Sequence, residues 1–76
     1  VAIRVIPVSH LRKYVEGNEL LDLEGWGGRT ARELIEHLGI PSVIVGAVLV
    51  DGRLVRKDSL LQDGTEVKLV PLLGGG

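Results

Sequence analysis

The chain's chemistry gathers where side chains are absent. The sequence closes on Pro71-Leu72-Leu73-Gly74-Gly75-Gly76, so three glycines carry the backbone to an α-carboxylate at Gly76. Such a group has a reference pKa of about 3.5 and is ionised at neutral pH. With no Cβ on Gly74, Gly75 or Gly76, a narrow site can close around the backbone. At about 3.3–3.6 Å per residue, the three glycines span roughly 10 Å, enough to deliver the carboxylate into a buried pocket. Two readings of this end stand side by side: a poorly ordered terminus of the usual kind, or a carboxylate that is itself the functional group.

The side chains offer no rival chemistry. The chain has no Cys, hence no thiolate nucleophile and no disulfide. Ser9, Ser42 and Ser59 sit in no recognisable nucleophile motif, and His10 and His37 lie far apart without metal-ligand spacing. No metal site and no catalytic set are expected. The carboxylates are interspersed with Arg and Lys, as on an ordinary solvated surface.

Composition narrows the class further. Seventy-six residues make one domain with a small core, in which about 60% of the unfolded surface can be buried. Apolar residues, mostly Val, Leu and Ile, make up 45% of the chain. Nine Lys+Arg against ten Asp+Glu leave a net charge of -1, which argues against nucleic acid as a partner. Only Tyr14 and Trp26 are aromatic, so a base-stacking platform is excluded. No apolar run approaches the ~18 residues of a membrane span. The start, Val1-Ala2-Ile3-Arg4, has no signal pattern, so a cytoplasmic protein is expected.

The elements that must position the tail follow from periodicity. Val1 to Val8 is β-branched and partly alternating, a strand with Pro7 near its end or on an edge. Ser9 is a candidate N-cap for a short helix over 10–16, whose apolar face is Leu11, Tyr14 and Val15. Residues 19–24 alternate again and predict a second strand, antiparallel to the first. Gly25-Trp26-Gly27-Gly28 is a loop, with the Trp26 ring folded over the domain's edge. Thr30-Ala31-Arg32-Glu33 is a capping box. The helix it starts runs to about Leu38, with Ala31, Leu34, Ile35 and Leu38 facing the core, and Gly39 and Pro41 stop it. Residues 43–50 read as a buried strand with a bend or bulge at Gly46. Asp51-Gly52 predicts a tight hairpin into a short strand over 53–56. Gln62-Asp63-Gly64 is a further turn, and 65–70 is the last strand, with Thr65, Val67 and Leu69 inward and Val70 outward. The order implies an α+β fold: a mixed sheet of about five strands with one main helix across one face. The first and last strands can then pair in parallel at its centre. The domain is expected over 1–70, followed by a tail over 71–76.

Three segments carry a family resemblance over essentially the whole chain. They are Ile3-Arg4-Val5-Ile6 with Leu11-Arg12; Gly28-Arg29-Thr30 with Glu33-Leu34 and Leu38-Gly39; and Val48-Leu49-Val50-Asp51-Gly52 with 61–67 and Val70-Pro71-Leu72-Leu73-Gly74-Gly75-Gly76. The Asp-Gly turn, final strand, Pro and terminal glycines are the specific part. The chain resembles the MoaD/ThiS sulfur carriers, the group of the molybdopterin synthase small subunit and the thiamine-pathway carrier, which have the ubiquitin-like β-grasp fold. Leu73-Gly74 before the last two glycines departs from that pattern and leaves the branch open.

The resemblance implies a protein cosubstrate rather than an enzyme. Gly76 would be adenylated by a separate ATP-dependent activating enzyme and become a thiocarboxylate that donates sulfur in molybdopterin, thiamine or tRNA biosynthesis. The domain binds no cofactor; ATP and a sulfur donor belong to the partner. An acceptor enzyme, such as a molybdopterin synthase large subunit, is the second partner. Ubiquitin-like modifiers end the same way, so conjugation through Gly76 to a lysine is the alternative. A carrier must dock, and Ile6, Val8, Val70, Pro71, Leu72 and Leu73 are the expected partner-binding residues, as outward apolar positions near the tail. Arg12, Arg53 and Arg56 are either a charged rim to that patch or plain surface.

Overall fold

The computed structural model describes residues 1–72. Strand β1 (Ala2–Pro7) leads into a 3-10 helix (Ser9–Val15) and strand β2 (Leu21–Glu24). Helix α1 (Ala31–His37) and a 3-10 turn (Ser42–Ile44) follow, then β3 (Val45–Val50), β4 (Arg53–Val55) and β5 (Glu66–Pro71). The five strands form one sheet in the order β2-β1-β5-β3-β4. β1 is antiparallel to β2 and parallel to β5, with Arg4 opposite Glu66 and Pro7 opposite Leu69. β3 runs antiparallel to both β5 and β4. This is the expected α+β arrangement, with the chain's last strand held on both sides.

Alternation decides which face is covered. Ile3, Val5 and Pro7 on β1, and Val67, Leu69 and Pro71 on β5, are buried, and cross-strand partners point the same way. α1 turns Ala31, Leu34 and Ile35, all fully buried, into the same cluster as Ile3, Val5, Val48, Val67 and Leu69. Leu11, Trp26, Ile40 and Leu61 belong to the same cluster. No helix among the described residues is long and apolar enough to cross a membrane.

Local chemistry fixes the joints. The Glu33 N–H donates to the Thr30 hydroxyl at 3.1 Å, and the Thr30 N–H donates to the Glu33 carboxylate at 3.0 Å. These two orphan donors at the helix start are thereby satisfied reciprocally. Asp51 and Gly52 take φ of 50° and 82°, the two left-handed positions that a two-residue hairpin turn demands. Asp51 also accepts from the Glu66 N–H at 2.9 Å, which ties the hairpin to the start of β5.

Four expectations are corrected. Ser9 is no N-cap: its φ is 57°, and Val8 precedes the 3-10 helix with no side-chain cap. The Val8 N–H is bound to the Leu69 carbonyl, and the Leu11 N–H donates to the Val8 carbonyl, so the turn begins one residue earlier. Trp26 is only 5% exposed and belongs to the core rather than its edge. Gly25 and Gly28, at φ of 82° and 86°, reverse the loop around it, and the Arg29 guanidinium covers its ring at 4.5 Å from the centroid. β3 starts at Val45 because a 3-10 turn occupies 42–44. Finally, β5 includes Pro71, and the Leu72 N–H donates to the Ile44 carbonyl, so the body reaches past Val70.

Thr30→Ala is expected to cost about 1 kcal/mol, a fall in Tm of roughly 4–8 °C for a domain this small. The Thr30 N–H, then its hydroxyl, hold the Glu33 carboxyl below its ordinary pKa. A depressed carboxylate stabilises fully above its unfolded pKa, and that contribution fades as pH falls through the folded one. Thermal melts of Glu33→Gln across the acid range should therefore differ from the parent near neutrality and converge with it at low pH.

Candidate functional site

The tail leaves from a fixed stem. β5 lies between β1 and β3, with Pro71 opposite Val45. β3 carries an extra residue between Val45 and Ala47, a bulge at Gly46. Beyond Pro71, Leu72 donates its N–H to the Ile44 carbonyl at 2.7 Å. Leu73, Gly74, Gly75 and Gly76, expected as the working end, lie outside the described residues.

The sheet face opposite α1 is the surface beside this stem. Cross-strand register puts Ile6, Lys68, Leu49 and Leu54 in one row from β1 to β4. Val70 and Ala47 form the next row, and Val8 joins it because its N–H bonds to the Leu69 carbonyl. Leu54 is 72% exposed and Leu72 56% exposed, while Ile6, Val8, Ala47, Leu49 and Val70 are half-buried. The apolar face thus runs across four strands, with the Lys68 amine as its cation. Further from the stem, the same side turns polar. Arg4 pairs with Asp22 at 3.7 Å, and with Asp51 and Glu66 they line an open recess of about 300 Å³. This exposed ion pair adds little stability.

The structure brings Ile6, Val8 and Val70 together on this face and places Leu72 at the stem. It removes Pro71 from the expected outward set. Pro71 is buried because it continues the inward alternation of Val67 and Leu69 and faces Val45. Of the three arginines offered as a charged rim or plain surface, Arg12, Arg53 and Arg56, Arg53 lies on the side away from the patch. Arg12 is half-buried and donates to the Pro7 carbonyl at 3.3 Å, and Arg53 pairs with Val50 on the helix side of edge strand β4.

Sequence reasoning missed Ala47, Leu49 and Leu54. A two-residue Asp51-Gly52 turn requires Val50 opposite Arg53 and Leu49 opposite Leu54, so hairpin counting was the signal that would have found the second half of the patch.

The ThiS family model matches residues 10–76 of the chain. Solved structures share its fold, three of them as follows. A Pyrococcus furiosus protein described as molybdopterin converting factor subunit 1 superposes with TM-score 0.71 at 23% identity, over 96% of this chain and 99% of its own. SAMP1 from Haloferax volcanii gives 0.72 at 19%, over 100% of both chains. Small archaeal modifier protein 1 from Methanosarcina acetivorans gives 0.69 at 22%, over 100% of this chain and 97% of its own. At such identities the likeness establishes the fold. Comparison with curated proteins gives no match.

Adjacent residues of β5 offer a test of the two faces. Leu69→Ala, on the core side, should cost about 3 kcal/mol, whereas Val70→Ser, on the open side, should cost less than about 1 kcal/mol. Urea unfolding of both variants reads the difference.

Proposed function

The chain belongs to the ThiS family, and from that membership we propose that it is a sulfur carrier acting as a protein cosubstrate. The observation that carries the reading is the extent of the family match, which runs through the glycines to residue 76. In this reading the reactive group is the α-carboxylate of Gly76, exposed once Gly76 is the terminal residue.

A carboxylate is a poor electrophile at neutral pH because it is ionised. An activating enzyme supplies ATP; the Gly76 carboxylate attacks the α-phosphorus and pyrophosphate leaves, giving an acyl-adenylate. A sulfide-level sulfur from a donor then displaces AMP, leaving a thiocarboxylate. Its anionic sulfur is the nucleophile that an acceptor enzyme uses. The chain's own contributions are a stable stem, a slender end and a docking surface. Ile6, Val8, Val70 and Leu72, joined by Ala47, Leu49 and Leu54, form that surface. The sulfur goes to molybdopterin synthesis, with a large synthase subunit as acceptor, or to thiamine or tRNA thiolation, which use the same chemistry.

A second reading is supported by the fold shared with two archaeal modifier proteins. In it a lysine amine of another protein displaces AMP from the same acyl-adenylate, giving an isopeptide. Incubation with a family adenylating enzyme, ATP and a sulfide source, followed by intact-mass measurement, tests the carrier. The expected product has one oxygen exchanged for sulfur. A ladder of conjugates in cells without that exchange would favour the modifier.

Gly75→Val and Gly76→Val are expected to keep the parent's Tm and yield no thiocarboxylate by mass spectrometry. Leu49→Asp is expected to weaken binding to the activating enzyme at least about tenfold, as loss of a buried apolar contact in an interface centre does. Calorimetric titration reads it.

A further inference from the structure

The glycines of the described chain divide by the reason each is a glycine. Gly17, Gly25, Gly28, Gly39 and Gly52 have left-handed φ and nothing within 4 Å of an added Cβ. They are required by conformation. Gly46 is different, because its φ lies outside the left-handed region and any L residue can adopt it. Space forbids a side chain there. A Cβ on Gly46 would stand 2.8 Å from the Leu72 Cα and 3.2 Å from the Leu72 nitrogen. Gly27 is the other crowded glycine, but its neighbour is the end of the Asp63 side chain, which can swing away. At Gly46 the neighbour is backbone.

We propose that Gly46 is a positioning residue for the tail: its bare bulge seats the Leu72 backbone on β3 and so fixes the direction in which the carrier end starts. Three observations converge. The bulge places one unpaired residue of β3 beside the end of β5. The Leu72 N–H is anchored to the Ile44 carbonyl, two residues before Gly46. The Leu72 backbone then crosses Gly46 closer than any Cβ allows. A seated stem has less freedom to lose when the glycines enter an enzyme, and preorganisation of this kind raises the fraction of complexes in reacting geometry. Adding a methyl group at Gly46 should move Leu72 rather than β3. β3 is held by ladders to β4 and β5, whereas the Leu72 N–H is held by a single bond to Ile44.

This inference rests on the carrier reading for its consequence but not for its geometry, and the test separates them. In Gly46→Ala, amide hydrogen exchange at Leu72 should accelerate while core amides stay protected and Tm stays close to the parent's. In ATP–pyrophosphate exchange with a family adenylating enzyme, kcat should fall roughly tenfold with KM little changed. Simple destabilisation would instead lower the folded concentration, raising apparent KM at constant kcat. Leu72→Pro removes the donor to Ile44 while leaving Gly46 in place and should reproduce the fall in kcat, which keeps the test decisive if Gly46→Ala folds poorly. Unchanged Leu72 exchange in Gly46→Ala, or unchanged kcat in Leu72→Pro, overturns the proposal. If the unaltered chain is not adenylated at all, the carrier reading fails, and Leu72 exchange alone decides whether the seat exists.

Discussion

Parallel hydrogen bonding between β1 and β5 is the constraint on which the rest of the structure depends. It joins residues from the two ends of the sequence, Arg4 to Glu66 and Pro7 to Leu69. Such long-range pairing comes late in loop-closure terms and has to be repaid by burial. Ile3, Val5, Val67 and Leu69, all fully buried beneath α1, supply that burial. Once β5 is inside the sheet, whatever follows Pro71 must leave from the middle of a five-stranded body rather than from a fraying edge.

Because strand residues alternate, the same β5 serves two surfaces. Val67, Leu69 and Pro71 point to the core, while Lys68 and Val70 point to the open face. A one-residue slip of β5 would exchange them, exposing the core set and burying a lysine. Stability and the open apolar face are therefore set by one register. The Asp51 carboxylate, accepting from the Glu66 N–H, helps pin that register at the strand's first residue.

Much of this was legible in the chain. The Thr30–Glu33 box, the Gly39 stop and the Asp51-Gly52 turn are local devices whose geometry depends on neighbours in sequence, and each stands where its residues predict. Expectations failed where distant partners intervened. Ser9 lost its capping role because Val8 is bound to Leu69, and Trp26 joins the core in a loop whose Gly28 N–H donates to the distant Leu61 carbonyl. Pro71 looked like the first tail residue, yet its place opposite Val45 makes it the last residue of a strand.

The sequence by itself determined the class of fold, the helix and its limits, the hairpin, and the terminal glycines on which the proposed chemistry rests. Those features depend on conformational preference and short-range hydrogen bonding, which act within a few residues. Only the tertiary structure decided that Leu49 and Leu54 extend the patch begun by Ile6 and Val70, and that Gly46 lies under Leu72. Both depend on which strands lie side by side and in what register. That is settled by packing one shared core, not by any stretch of chain alone.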